Sequence, residues 1–225
     1  MRIGIMAGVS DADASTIDGL VEFAQQAEKS GFNSLWMANI FGLDAITTLT
    51  LMGQKTSKIE LGTAVVPSFP RHPAALAQQA LTAGAATDGR FTLGIGLSHK
   101  MVIEDMFGLS YDKPAKHMRE YLSALMPLLQ GEAAAHNGDL YRVNCQFAVP
   151  GMQPVPVIVA AHKFIIGGGV LMCGAADIVI ASDDAYFSLP EIDRGAMGGA
   201  AHLQRMFGVA KVRAAFLTGG KISAQ

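Results

Sequence analysis

Side chains able to do chemistry gather in three short segments, Trp36-Met-Ala-Asn39, Thr63-Ala-Val-Val-Pro-Ser68 and Gly94-Ile-Gly-Leu-Ser-His99. The carboxamide of Asn39, the hydroxyl of Ser98 and the imidazole of His99 each donate and accept hydrogen bonds. Gly94 and Gly96 have no Cβ, which lets a flat ring or a phosphate come close to the backbone; the same property also serves tight packing. His72 stands before Pro73 at a helix start and reads as a cap or packing residue rather than a proton donor. Trp36 reads as core. Cys145 and Cys173 sit among apolar residues with no CxxC spacing and no adjacent histidine, so no disulfide framework, zinc centre or other metal site is expected.

The elements that would position these segments alternate in period. Arg2 to Ala7, Ser34 to Asn39, Ile59 to Val66, Phe91 to Gly96 and Pro156 to Ala161 are short, mostly apolar runs that read as strands buried on both faces. Between them, 16–29, 42–53 and 73–87 carry apolar residues at helical spacing, and 116–129 follows the fourth strand as another helix. Residues 136–142 form a polar excursion, with Asn137-Gly138 predicted as a hairpin turn. Repeated strand-helix units make a parallel sheet of the (β/α) barrel type, in which ligands meet the loops after the strands. All three reactive segments lie there.

Composition narrows the class of ligand. Half of the 225 residues are hydrophobic and 16% are charged, which excludes disorder. A net charge of -2 gives no field for a polyanion, so neither nucleic acid nor an anionic membrane surface is an expected partner. The longest uncharged apolar run, 164–176, is shorter than the roughly 20 residues of a membrane span. The N-terminus lacks the pattern of a secretion signal, and the expected location is the cytoplasm.

The string IELGTAVVPSFPRHPAALAQQALTAGAATDGRFTLGIGLSHK, with GFNSLWMANIFGLDA before it and AKHMREYLSALMPLLQG after it, resembles the luciferase-like monooxygenase superfamily. Within it, the wording is similar to oxidoreductases that use the deazaflavin coenzyme F-420. The resemblance covers residues 1 to about 161. It implies a TIM-type barrel with F-420, or FMN as the alternative, at the C-terminal mouth, and hydride transfer with a small organic substrate. It also implies a non-proline cis peptide behind the ring, in the segment Ala64, Val65, Val66. Asn39, Gly94, Gly96, Ser98 and His99 are the further cofactor-site candidates. Where the wider superfamily often has an acidic residue and a histidine, this chain has Asn39-Ile40, so an acid/base role at that place is not expected.

From about Val157 onward the chain instead resembles the crotonase family of enoyl-CoA hydratases and isomerases, through its GGG, ADIVIAS, FSLPE and LTGGKISA blocks. The implied organisation is a partial luciferase-like barrel, 1–161, joined to a crotonase-like α/β fragment, 162–225, in an incomplete TIM-type barrel of five to six parallel strands. Charge does not mark the join: 11 Lys and Arg against 14 Asp and Glu give -3 before it, and 6 against 5 give +1 after it. By that resemblance Gly168 supplies one oxyanion-hole N–H and Glu191 one catalytic carboxylate. The second N–H belongs to a segment absent from this chain, and Leu171 occupies the place of the other glutamate. Glu191 then also reads as a solvated turn carboxylate. A CoA thioester is a ligand only under this alternative, and a non-catalytic fusion remnant is the third reading. A barrel that stops at six strands leaves open edges, and the faces near Phe187 and Met206 are expected to lack cover. A homo-oligomer is the expected state.

Overall fold

The computed structural model describes residues 3–8, 16–161, 164–166, 168–189 and 200–224. Two compact units are formed, 1–111 with 123–157, and 112–122 with 158–225. The structural boundary at 157/158 and residue 161, where the sequence led us to expect the join, fall in one strand.

The first unit follows the strand-helix rhythm: β1 Gly4–Ala7, α1 Ile17–Lys29, β2 Ser34–Met37, α2 Ala45–Gly53, β3 Glu60–Thr63, β4 Val66–Pro67, α3 Pro73–Ala86 and β5 Phe91–Gly96. A π-helical turn, Val102–Met106, precedes α4, Pro114–Leu129, whose first half belongs to the second unit. The helices start where local chemistry dictates. Thr16 and Asp44 accept the N–H groups of Gly19 and Thr47, and Nδ1 of His72 accepts that of Ala74 with Pro73 at the first helical position. His72 is therefore the expected cap. Pairing among β1 to β5 is parallel, with Leu35 opposite Leu61 and Leu61 opposite Phe91. All three are buried, as are Leu20, Leu49 and Leu76 on the helices.

Two contacts tie down the loops at the strand N-termini. The Glu28 carboxylate accepts the backbone N–H groups of Ser57, Lys58 and Ile59. The Arg90 guanidinium donates to the carbonyls of Gly53, Thr56 and Ile59. After α4 come β6, Ala134–Asn137, and β7, Arg142–Cys145, an antiparallel hairpin. Because Asn137 pairs with Arg142, the loop is 138–141, and Asn137-Gly138 is not the two-residue turn expected.

The strand order continues as β1-β2-β3-β5-β8-β10, six parallel strands, with β4 paired beside β5. This is the incomplete barrel anticipated from the sequence. β8 is Val157–Ala161 and β10 is Ile178–Ala181. In the second unit β9, Phe164–Ile166, leads into α5, Gly168–Ala175, and after β10 come β11 Tyr186–Ser188, α6 Ala200–Met206, α7 Val209–Thr218 and β12 Lys221–Ser223. Its core joins Ile165, Val170, Cys173, Phe187, Leu203, Val212 and Ile222.

Two expectations are corrected, those for β1 and for Phe187. β1 is not buried on both faces, since Met6 is half-exposed at the sheet edge. A three-stranded sheet, β12-β11-β9, was not foreseen. α6 and α7 are separate helices, because Gly208 takes an extended conformation just before α7. Phe187 is covered, not open: it is 2% exposed, with the Phe207 ring edge-on at 5.1 Å.

Candidate functional site

Parallel pairing brings the C-terminal ends of β2, β3, β4 and β5 to one side of the sheet. There a cavity of about 370 Å³ opens, lined among others by Asn39, Ala64, Val65, Ser98 and His99. The Ala64-Val65 peptide bond is cis, within the segment where the resemblance placed it. Behind this wall Thr63, buried, joins β3 to β5: its hydroxyl donates to the Gly94 carbonyl and accepts the Gly94 N–H, each at 2.8 Å. Ser98 has a left-handed backbone, φ 64°, and its carbonyl accepts the Tyr111 hydroxyl at 3.2 Å. Tyr111 stacks on Phe69, and burial pushes its phenol above the ordinary value, so it stays a donor at neutral pH.

The structure separates the candidates. Asn39, Ala64, Val65, Ser98 and His99 share the cavity wall. Val66 does not: it pairs with Ile95 and is fully buried. Gly94 and Gly96 stand one layer behind. A Cβ on Gly94 would enter the Thr63 carbonyl, and one on Gly96 would meet the Val65 side chain at 2.6 Å. Their missing side chains thus make room for the wall itself rather than for a ligand. Asn39 is partly committed as well, its Oδ1 accepting the Ala45 N–H at 3.0 Å at the start of α2. Trp36 is half-buried, its indole N–H on the Ser34 hydroxyl at 3.0 Å.

Sequence reasoning missed Arg71, which lines the same cavity and forms a 2.8 Å ion pair with Asp44. The signal was present: Asp44 is placed to cap a helix, and Arg71 immediately precedes the His72-Pro73 helix start. It also missed the apolar rim, Ile40, Phe41, Val102 and Phe107, because an exposed apolar residue is unremarkable until its neighbours are known.

Residues 1–164 match the luciferase-like monooxygenase family. The chain belongs to that family. A Mycobacterium tuberculosis protein that carries the provisional name of a coenzyme F-420-dependent oxidoreductase is 32% identical over 144 residues, 64% of this chain and 41% of the relative. In fold the chain is similar to the F-420-dependent tetrahydromethanopterin reductase of Methanopyrus kandleri, with TM-score 0.65 and 20% identity over 97% of this chain and 63% of that one. It is equally similar to the FMN-bound oxygenating component of 3,6-diketocamphane monooxygenase from Pseudomonas putida, with TM-score 0.65 and 17% identity over 98% and 64%.

Residues 147–225 match the enoyl-CoA hydratase/isomerase family. A methyl-dioxo-hexahydroindene-carboxyl-CoA hydrolase of Rhodococcus jostii is 48% identical over 71 residues, 32% of this luciferase-like chain and 28% of the hydrolase. The chain thus spans less than half of each of these two curated relatives. Gly168 opens α5. Glu191, with the nearby Asp193 and Arg194, lies outside the described residues. This unit has its own cavity of about 470 Å³, walled by Cys173, Asp177, Phe187 and Arg205 among others. Burial pushes the Cys173 thiol up to about 11, so it is no nucleophile at neutral pH. Among the described residues no cluster could hold a metal ion, and no helix is long and apolar enough to cross a membrane.

Proposed function

We propose that residues 1–161 bind the tricyclic ring of a deazaflavin, F-420, or of FMN as the alternative, and support oxidoreduction of a small organic substrate beside it. The observation that carries this reading is the convergence of four strand ends on one cavity whose walls are mostly apolar and whose polar groups are few. That is the make-up of a cofactor-ring site. The donor set fits the ring: Ala64, Val65 and Val102 offer apolar surface to its faces, while the Asn39 amide, Ser98 and His99 offer hydrogen bonds to its polar edge. It does not fit an anionic tail as well, because Arg71 is already paired with Asp44.

When bound, the cofactor supplies the hydride chemistry, and the protein supplies position and exclusion of water. The Thr63–Gly94 clamp fixes the wall. The Tyr111 hydroxyl holds the Ser98 turn against the mouth. No acid stands at Asn39, so proton delivery there falls to solvent or to His99.

Fluorescence titration of the full chain with F-420, and separately with FMN, tests the reading. Saturable binding of one of them is expected, weakened about tenfold or more in Ala64→Leu, which fills the ring space. Absence of saturation with both cofactors would overturn it. An acyl-CoA turnover assay on the same sample tests the crotonase alternative, for which no activity is expected, since Leu171 cannot transfer a proton and one N–H donor is missing.

A further inference from the structure

The cavity mouth is unusually apolar for a surface that faces water. Ile40 and Phe41 are 60% and 62% exposed, and Phe107 is 44% exposed. All three line the cavity, and Val102 between them extends the same surface. Against this stands a single lysine or arginine among the described lining residues, Arg71, and its charge is matched: Asp44 Oδ2 lies 2.8 Å from its Nη2, with both side chains partly buried. Asp44 is held in place to do this. Its Oδ1 accepts the Thr47 N–H and the Thr47 hydroxyl at 2.9 and 2.8 Å, leaving Oδ2 for the guanidinium.

We infer that this cavity selects uncharged, apolar substrates over anionic ones, and that Asp44 determines this specificity by neutralising Arg71. The inference rests on the proposed cofactor site only for its location. Apolar contact with Ile40, Phe41 and Phe107, the rim residues not assigned to the ring, supplies affinity. An anionic substrate finds no unpaired cation in the described lining. Without the Asp44 charge the same cavity would present a guanidinium, whose planar fork suits phosphate and carboxylate.

The chemistry of Asp44 makes the test clean, because asparagine and serine cap helices as well as aspartate does. Asp44→Asn or Asp44→Ser therefore removes the charge while keeping α2 capped. Cyclohexanol and inorganic phosphate are titrated into the full chain, with the fluorescence of Trp36 and the melting temperature as readouts. The wild type is expected to saturate with cyclohexanol and not with phosphate. Asp44→Asn is expected to bind phosphate about tenfold or more tightly, in a salt-sensitive manner, and the double variant with Arg71→Gln to lose that gain. A wild type that binds phosphate as well as Asp44→Asn does, or an Asp44→Asn and Asp44→Ser pair that melt like wild type and still ignore phosphate, would overturn the inference. Titration of the same samples with F-420 and FMN separates the two readings. Loss of cofactor binding with the phosphate switch intact sinks only the proposed function, and the reverse sinks only the role of Asp44.

Discussion

The two units carry cavities of similar size, about 370 and 470 Å³, built in opposite ways. In the first, strand ends aim polar groups at one point and a backbone clamp between β3 and β5 fixes the wall. In the second, the walls are those of a small core whose thiol, Cys173, is pushed out of reactive range by its burial. Volume is therefore a poor guide to function, and convergence of groups held by regular backbone is a better one. The difference also predicts that the two units fail under different insults.

The largest effect is expected at the clamp. Gly94→Ala sets a Cβ against the Thr63 carbonyl, and backbone in the middle of a sheet cannot give way. A loss of about 4 kcal/mol is expected, confined to the first unit. Trp36, the single tryptophan, reports that unit in urea titrations, while far-UV circular dichroism reports both. A variant that unfolds by fluorescence at the wild-type midpoint would show that the clamp does not carry the first unit.

Acid should strike the second unit first. His117 is buried on α4 beside Tyr121, and burial pushes its imidazole down to about 4, opposed by the Glu120 carboxylate. Released on unfolding, it titrates near 6.5. The unfolded chain therefore binds the extra proton between these values, so stability is intact above pH 6.5 and falls as pH drops toward 4, by about 2–3 kcal/mol. In the first unit burial raises the Glu28 carboxyl, but the N–H groups of Ile59, Lys58 and Ser57 outweigh it and hold the pKa below 4.5. That contribution is intact above 4.5 and fades only below it. Between pH 6.5 and 5, circular dichroism should show weakening while Trp36 fluorescence does not change. In His117→Phe the weakening should vanish; if it persists, the assignment fails.

How far the sequence announced all this differs between the units for a physical reason. In the first, period, caps and glycine stops agree with one another, so β2, α1, α3 and β5 were legible to within a few residues, as were the cavity residues Asn39, Ser98 and His99. Local signals sufficed because each strand-helix unit is built from neighbours in the chain. Gly94 and Gly96 were read as ligand-facing, and the Asp44–Arg71 pair was unseen, since both depend on what lies across the sheet 27 to 31 residues away. In the second unit β9, β11 and β12 are three residues each, too short for any period to show, and their pairing is non-local. The buried position of Phe187 follows from that pairing and not from its own neighbours.

The open sheet gives a smaller effect. β1 and β10 end the strand order, and Ile178 and Ile180 on β10 are 44% and 56% exposed. An uncovered apolar edge strand pairs readily with another copy, and on that ground we propose a homo-oligomer. Ile180→Lys should raise the dissociation constant about tenfold, measured by light scattering across a dilution series. A monomeric wild type at high concentration would refute the expectation and show that this edge is protected.

The smallest effect is also the most discriminating, because it asks whether Asn39 serves the fold or the ligand. Its Oδ1 accepts the Ala45 N–H, a partly buried contact whose loss costs about 1 kcal/mol, while the residue also lines the proposed ring site. Asn39→Ala removes both functions, so stability and F-420 affinity should fall together. Asn39→Asp keeps the acceptor for Ala45, and a carboxylate at a helix start is favourable, so stability should stay within about 0.5 kcal/mol of wild type. Yet it removes the donor and sets a negative charge where the ring presents its acceptor edge, and affinity for F-420 should fall about tenfold. If Asn39→Asp binds the deazaflavin as tightly as wild type, Asn39 belongs to the scaffold of α2, and the polar edge of the site is made by Ser98 and His99 alone.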